Sequence, residues 1–117
     1  MKIEEYSFGT IRINGNVYSK DLWLINGKID KRDKSIAKDK FGASHKICVK
    51  ELKKIVTKKT KRVIIGSGAS GLVTLTEKAS KFLDDKDIKL EIYKTSDLIL
   101  KKIKICEDDS AIIHLTC

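Results

Sequence analysis

Residues 62–71 combine a short apolar run with a glycine-rich turn: Arg62-Val63-Ile64-Ile65-Gly66-Ser67-Gly68-Ala69-Ser70-Gly71. The apolar run is typical of a buried strand. Further strand patterns occur at residues 89–93 and 111–115, and amphipathic segments separate them. This alternation predicts a βαβαβ half with parallel strands, right-handed crossovers and helices packed on the sheet. We expect Ile65 and Tyr93 to lie in adjacent, parallel strands.

Three helices are predicted from apolar residues at helical spacing. Their apolar faces are formed by Val49, Leu52, Ile55 and Val56 in the first, Leu75, Ala79, Phe82 and Leu83 in the second, and Ile99, Ile103 and Cys106 in the third. Thr74 and Glu77 have the spacing of a capping box for the second helix, and Ser96 is placed to cap the third.

On the N-terminal side of this half, residues 1–30 have the pattern of short strands. Residues 6–13 alternate apolar and polar side chains, which predicts one strand with a solvated face. Asn14-Gly15 and Asn26-Gly27 favour hairpin turns, so an N-terminal antiparallel β-meander is expected. Residues 30–45 show no period and predict a long connection. The whole, residues 1–117, is therefore predicted to be a single three-layer α/β domain, with the meander followed by the βαβαβ half.

Composition narrows the class of protein. A chain of 117 residues supports one hydrophobic core, and its 41% apolar content is too high for disorder. It contains no apolar run of roughly 18 residues and no signal-peptide pattern, so we expect a cytoplasmic protein without membrane association. Cys48, Cys106 and Cys117 are expected to be reduced, and a Cys106–Cys117 bridge is the alternative.

The glycine-rich turn matches G-x-G-x-x-G and leaves three interpretations open: a structural turn, a site for a small anion or polar ligand, and a dinucleotide site. The structural turn is favoured, because Leu72-Val73-Thr74 delays the next helix and no acidic residue follows the second strand at the required distance. Ligands of α/β sheets collect at the carboxyl ends of parallel strands. A shared crevice with free backbone N–H groups is therefore predicted there, from the residues Gly66, Ser67, Gly68, Thr95 and Ser96.

The two histidines indicate no catalytic or metal site by their spacing. Neither His45 nor His114 has a cysteine or serine at a distance that suggests a triad, and no carboxylates cluster with them. We therefore expect no catalytic residue, no metal site and no cofactor. His45 is retained as a possible proton carrier for the crevice, provided that it lies within hydrogen-bond reach.

Positive charge is concentrated in one part of the chain. Residues 46–62 contain eight basic residues and one acidic residue, within a formal net charge of +9. Five lysines are predicted to project from the first helix and its flanks: Lys46, Lys50, Lys53, Lys54 and Lys58. Such a surface attracts phosphates or acidic proteins. A merely solvated face is the leading interpretation, followed by an acidic protein partner. Nucleic acid is less favoured, because Phe41 is the only aromatic residue nearby.

The order of several short motifs resembles the domain of unknown function 498 family over nearly the whole chain. The motifs are Phe8-Gly9-x-Ile11, Tyr18-x-x-Asp21-Leu22, Asn26-Gly27-x-Ile29, Gly42-x-Ser44-His45, Ile64-Ile65-Gly66-Ser67-Gly68 and Ala111-Ile112-Ile113-His114-Leu115-Thr116-Cys117. That family includes small archaeal and bacterial proteins, a mitochondrial complex I assembly factor and an adipogenesis-associated domain protein. The resemblance implies a three-layer α/β fold with an antiparallel N-terminal part, and it carries over no catalytic residue.

Together these patterns predict a non-enzymatic binding or assembly-type domain, either a monomer or a weak homodimer. One alternative is a small polar or anionic ligand site in the crevice, with or without catalysis. The other is binding of nucleic-acid phosphates by the lysines of residues 46–62.

Overall fold

The computed structural model describes residues 1–42 and 45–117. Its strands are β1 (Ile3–Ser7), β2 (Thr10–Ile13), β3 (Asn16–Tyr18), β4 (Leu22–Ile25), β5 (Lys28–Lys31), β6 (Lys46–Ile47), β7 (Arg62–Ser67), β8 (Thr74–Leu75), β9 (Lys89–Tyr93) and β10 (Asp109–His114). Its helices are α1 (Ser35–Phe41), α2 (Val49–Ile55), α3 (Glu77–Asp85) and α4 (Asp97–Leu100). Ser44, part of one family motif, lies outside the described residues.

The central sheet has five strands in the order β5-β4-β10-β7-β9. Strands β10, β7 and β9 are parallel, whereas β4 is antiparallel to both β10 and β5. Ile65 pairs with Ile92 and Gly66 with Tyr93, so the expected adjacency of the strands that carry Ile65 and Tyr93 is confirmed. The parallel βαβαβ half is therefore present, with β10 inserted between β7 and β4.

The N-terminal strands divide between two sheets. Strands β1, β2 and β3 form an antiparallel three-stranded sheet, while β4 and β5 extend the central sheet. The Asn14-Gly15 and Asn26-Gly27 turns occur as predicted, with positive φ at all four residues. The prediction of one strand over residues 6–13 is wrong, because the chain reverses at Gly9, which has a φ of 84°.

Two apolar cores separate three layers. One layer contains helices α2 and α3, which pack on one face of the central sheet. The three-stranded sheet and α4 cover the other face. The first core is formed by buried residues such as Leu52, Ile55, Ala79, Leu83, Val63, Ile65 and Ile112. The second is formed by residues such as Ile11, Ile13, Leu24, Ile64, Leu98, Ala111 and Ile113. The predicted three-layer α/β class is confirmed.

The prediction of a long connection over residues 30–45 is wrong, because this stretch contains the end of β5 and helix α1. The Asp33 carboxylate accepts hydrogen bonds from the backbone N–H and hydroxyl of Ser35, which fix the chain at the start of the helix. Ile36 and Ala37 are buried. Gly42, with a φ of 74°, ends the helix and donates its N–H to the Lys38 carbonyl. Two neighbouring buried residues are too few to give a helical period.

Two details of the other helices also differ from the predictions. Thr76 caps α3 by accepting the Ala79 N–H at 3.0 Å, whereas Thr74, the predicted cap, lies in β8. Helix α4 ends at Leu100, because Lys102 adopts a φ of 51° and the Ile103 N–H returns to the Leu98 carbonyl. The longer predicted helix therefore does not form.

Two residues assigned to the third helix have other roles. The side chain of Ser96 makes no capping hydrogen bond, and Cys106 is exposed instead of lying on an apolar face. Within the described part of the chain, the helices are too short or too polar to cross a bilayer.

Candidate binding site at the carboxyl edge of the sheet

Polar residues converge where the three parallel strands end. β10, β7 and β9 end at His114, Ser67 and Tyr93 on one edge of the sheet. β4 runs in the opposite direction, with Leu22 paired to Ile113, so the preceding residue Asp21 reaches the same edge. We call this region the carboxyl edge. It is the part of an open α/β sheet at which ligands usually bind.

The glycine-rich loop and the Thr95 segment meet at the carboxyl edge, but they bond to each other. The Thr95 hydroxyl accepts the Gly68 N–H at 2.9 Å and donates to the His114 carbonyl at 2.6 Å. The Ser67 hydroxyl donates to the Tyr93 carbonyl at 2.9 Å. Gly66, Ser67, Gly68 and Thr95 are all buried. The predicted crevice therefore brings these residues together without the free N–H groups expected of it.

Gly68 permits a very close approach of two chain segments. Its φ is 99°, and a Cβ atom at this position would lie 2.4 Å from the Thr116 carbonyl oxygen and 2.9 Å from Cδ2 of His114. The Ala69 N–H donates to the Thr116 carbonyl, and the Gly71 N–H donates to Gly68. These bonds favour the structural-turn interpretation over a dinucleotide site, because the N–H groups of Gly68, Ala69 and Gly71 already have partners.

A buried ionic network lies beside this loop. Arg32 donates to Asp21 at 3.0 Å and, through two nitrogens, to Glu51 at 2.7 and 3.1 Å. Trp23 donates its indole N–H to Glu51 at 2.9 Å. Burial by itself lowers the pKa of Arg32, but the hydrogen bonds and charges of Glu51 and Asp21 outweigh it and raise that pKa. Arg32 is therefore a permanent buried cation that holds two carboxylates in place.

Asp21 connects this network to the end of β10. Its carboxylate accepts from Nδ1 of His114 at 2.6 Å and from the Leu115 N–H at 2.9 Å. Burial acts to raise the pKa of Asp21, but these hydrogen bonds, together with the proximity of His114 and Lys34, lower it to about 2. An ionised Asp21 requires a proton on Nδ1 of His114. The other ring nitrogen, Nε2, lies 3.4 Å from the Thr116 hydroxyl.

His45 and Cys117 complete a cluster around His114. The His45 ring packs edge-on against His114, with centroids 5.5 Å apart and an interplanar angle of 78°. One nitrogen from each histidine and Sγ of Cys117 all lie within 4.8 Å of one another. His114 is only 1% exposed, whereas His45 and Cys117 are half-buried. The spacing of these residues in the sequence gives no indication of this cluster.

A basic recess of about 610 Å³ opens next to the cluster. Four lysines line it, together with Ser19 and Thr116, and the side chains of Asp21 and Arg32 form its floor. Lys20, Lys31 and Lys38 are exposed, and Lys34 lies 3.6 Å from the Asp21 carboxylate. The lysines that line the basic recess are Lys20, Lys31, Lys34 and Lys38.

Ser96 lies apart from the other predicted crevice residues. It lines a separate recess of about 490 Å³ with Glu5, Tyr6 and Leu100, between β1 and α4. A larger cavity of about 1010 Å³ on the same side is lined by charges of both signs and by apolar side chains, and therefore has no clear charge preference.

The predicted lysine surface is exposed as expected from the helical pattern. In α2, Lys50, Lys53 and Lys54 face solvent, while Leu52 and Ile55 are buried. Lys46 and Lys58 are exposed on either side of the helix. These five lysines, Lys46, Lys50, Lys53, Lys54 and Lys58, form the α2 lysine surface.

Spacing in the sequence did not indicate Asp21, Arg32, Glu51, His114 and Cys117 as members of one site. One signal was available for Glu51, which lies on the apolar stripe of α2 between Cys48 and Ile55 and is fully buried. A charged residue on such a stripe indicates a buried ion pair. The others come from distant parts of the chain, and only the fold brings them together.

Comparisons with known proteins agree with this architecture. A family model described as "Protein of unknown function (DUF498/DUF598)" matches residues 3–99. The crystal structure of the conserved hypothetical protein PH1505 from Pyrococcus horikoshii OT3 is 33% identical, with a TM-score of 0.84 and full coverage of both chains. A solved structure designated MT938 is 25% identical, with a TM-score of 0.79, and the match covers 99% of this chain and 98% of that one. No match to this chain was found among curated proteins.

Proposed function

The chain belongs to the family of proteins of unknown function DUF498/DUF598, and from this premise we propose that it is a non-enzymatic binding domain for a small anion held in the basic recess. The observation that carries the proposal is the charge of the recess. Lys20, Lys31, Lys34 and Lys38 surround a cavity whose size suits a small molecule. The ligand class is a compact phosphate- or carboxylate-bearing molecule.

The floor of the recess adds no net positive charge, so the preference of the recess for anions comes from the surrounding lysines. The positive charge of Arg32 is neutralised by Glu51 and Asp21, which it contacts through hydrogen bonds. The lysine ammonium groups are thus the charges available to a ligand, with Asp33 as the one exposed carboxylate that lines the same recess. Hydroxyl groups of Ser19 and Thr116 supply neutral hydrogen-bond donors.

Rigidity is the second property expected of a binding site. Helix α1 carries Lys38 and follows directly on Lys34, while Arg32 fixes the preceding chain with a backbone hydrogen bond to the Asp21 carbonyl at 2.9 Å. Lys31, Lys34 and Lys38 therefore project from a segment anchored by a buried ion pair, which reduces the entropy lost when a ligand binds.

Calorimetric titration of the full chain with inorganic pyrophosphate tests this proposal. We expect 1:1 binding that weakens as salt is raised, and about tenfold weaker binding by the K34Q/K38Q variant, because each nearby charge contributes on the order of 1 kcal/mol or less. The matched control is K50Q/K53Q, which removes two exposed lysines from α2. Equal affinity in both variants, or stronger loss in the control, would overturn the proposal.

An acidic protein partner at the α2 lysine surface remains a separate proposal, and K50Q/K53Q is the variant that would weaken it. We further propose that the domain works in the cytoplasm, as a monomer or weak homodimer. A reducing compartment would keep the half-buried Cys117 available as a thiol at the carboxyl edge.

A further inference from the structure

We propose that His45, His114 and Cys117 bind one divalent transition-metal ion of the zinc class. The proposal rests on the convergence of one ligand atom from each residue within 4.8 Å. It does not depend on anion binding in the basic recess, because none of the four recess lysines belongs to this cluster.

The donor set matches the chemistry of zinc. Imidazole nitrogen and thiolate sulfur are the ligands that Zn²⁺ prefers, at roughly 2.0 and 2.3 Å, and three protein ligands leave a fourth tetrahedral position for water or another ligand. In tetrahedral geometry these bond lengths separate neighbouring ligand atoms by about 3.3–3.6 Å. Closing the cluster therefore requires shifts of about 1 Å, which the half-buried side chains of His45 and Cys117 have room to make.

The surroundings of His114 are those of a metal-ligating histidine. Asp21 accepts the Nδ1 proton at 2.6 Å, which fixes the ring orientation and leaves Nε2 as the coordinating atom. A carboxylate behind a histidine ligand is the usual arrangement in zinc sites. Arg32 in turn holds Asp21. Asp21 is therefore a positioning residue, and Arg32 supports it.

The other two ligands are also held by the fold. Strand β6 follows His45 and pairs with β8, and the Thr74 N–H donates to the His45 carbonyl at 3.0 Å. The Ala69 N–H donates to the Thr116 carbonyl, which brings Cys117 beside His114. Gly68 permits this approach, because a side chain there would overlap Thr116.

A hydrolytic triad is the main rival interpretation of the same residues. Cys117, His114 and Asp21 could act as nucleophile, base and orienting acid. That arrangement would give His45 no role, although its ring lies against His114. Metal binding gives all three cluster residues a role, and for this reason we favour it.

Cobalt titration of the EDTA-treated full chain tests the site. We expect one equivalent of Co²⁺ to give a thiolate-to-cobalt charge-transfer band with tetrahedral d–d bands, both displaced by Zn²⁺. The C117S variant should lose the charge-transfer band, and H45A should bind at least about tenfold more weakly, because each loses one ligand. C106S is the matched control, since Cys106 is an exposed free thiol. It should retain the wild-type spectrum.

Alkylation by iodoacetamide separates the metal site from the triad. Zinc should protect Cys117 but not Cys106, as read by peptide mass analysis. D21N should weaken zinc binding by about 10–100-fold without changing the stoichiometry, and circular dichroism verifies its folding. Absence of the charge-transfer band in the wild type, retention of the band in C117S, or zinc-independent alkylation of Cys117 would each overturn the proposal.

Discussion

Strand β10 begins at Asp109 and ends at His114, and a cluster of charged residues lies at each end. At the amino end, Arg62 donates to both oxygens of Asp109 at 2.8 and 2.9 Å and contacts Glu91 at 3.3 Å. At the carboxyl end, Asp21 accepts from His114. Asp109 and Asp21 have similar burial, but their partners differ.

At the amino end, Asp109 lies near Cys106 and Asp108 in a group of possible ligand atoms, but both of its oxygens already accept hydrogen bonds. The Arg62 fork is filled by Asp109, Glu91 and the Lys104 carbonyl, and the Cys106 N–H donates to Asp109. The hydrogen bonds to Asp109 raise the pKa of Arg62 further above its usual range. At the carboxyl end, by contrast, the proposed metal site brings one ring nitrogen of His114, one of His45 and Sγ of Cys117 within 4.8 Å of one another. The comparison separates an ion pair that stabilises the fold from a network that presents donor atoms.

The largest expected effect is a difference in unfolding free energy between two variants, one lacking Arg32 at the carboxyl end and one lacking Arg62 at the amino end. R32M leaves Asp21 and Glu51 as buried carboxylates without their cation, and we expect a loss of about 3–5 kcal/mol in unfolding free energy. R62M should lose about 1–2 kcal/mol, because Arg62 is 26% exposed and the buried Asp109 keeps its hydrogen bond from the Cys106 N–H. Urea denaturation measures both. A larger loss for R62M would contradict the assignment of the buried network to the carboxyl edge.

The next largest expected effect is the loss of stability when Gly68 of the glycine-rich loop is replaced by alanine. G68A should destabilise the protein by about 2–4 kcal/mol, since a positive φ is combined with overlap on the Thr116 backbone. G15A is the matched control: it has a similar φ of 82° but nothing within 4 Å of its added Cβ. It should lose about 1 kcal/mol. Equal losses would show that the loop does not pack against residues 114–117.

Acid titration should distinguish the two aspartates. The pKa of Asp21 falls from 3.8 to about 2 on folding, so its stabilisation is present above pH 4 and is lost as the pH falls towards 2. A shift of this size corresponds to about 2 kcal/mol. The pKa of Asp109 is raised by burial but lowered overall by Arg62 and by the Cys106 N–H.

The variants D21N and D109N show which of the two aspartates is responsible for the loss of stability in acid. D21N should therefore flatten the dependence of unfolding free energy on pH more than D109N does. The reverse order, measured by urea denaturation between pH 2 and 5, would contradict this account of Asp21.

The smallest expected effect is the change in stability of the metal-free protein when Cys117, a proposed metal ligand, is replaced by serine. C117S should change unfolding free energy by less than about 0.5 kcal/mol in EDTA, because Cys117 is only half-buried. With zinc at about 100 times its dissociation constant, the wild type should gain about 2.7 kcal/mol and C117S much less. A large loss in EDTA would instead indicate a packing role for Cys117.

Local patterns in the sequence predicted most of the fold. The Asn-Gly pairs define two turns because they tolerate positive φ, and the apolar strand patterns place β7, β9 and β10. The apolar pattern gave wrong predictions where an element buries few residues or where a turn interrupts an alternating stretch. Helix α1 contributes only Ile36 and Ala37 to burial, and Gly9 divides an alternating stretch that resembles one strand.

The candidate site could be predicted only in part. The rule for α/β sheets pointed to the carboxyl edge, where the structure brings Gly66, Ser67, Gly68 and Thr95 together. It could not find the pairing of Asp21 with His114, which are 93 positions apart. It also could not show that Thr95 fills the predicted crevice, because hydrogen bonds between loops depend on their separation in space.

A nuclear magnetic resonance titration tests most directly the claim that the carboxyl edge is the binding end of the molecule. In ¹⁵N-labelled, metal-free protein titrated with inorganic pyrophosphate, the largest amide shifts should fall at residues 19–21, 31–38 and 115–116. Largest shifts at the α2 lysine surface or around Arg62, or no shifts at millimolar pyrophosphate, would contradict it.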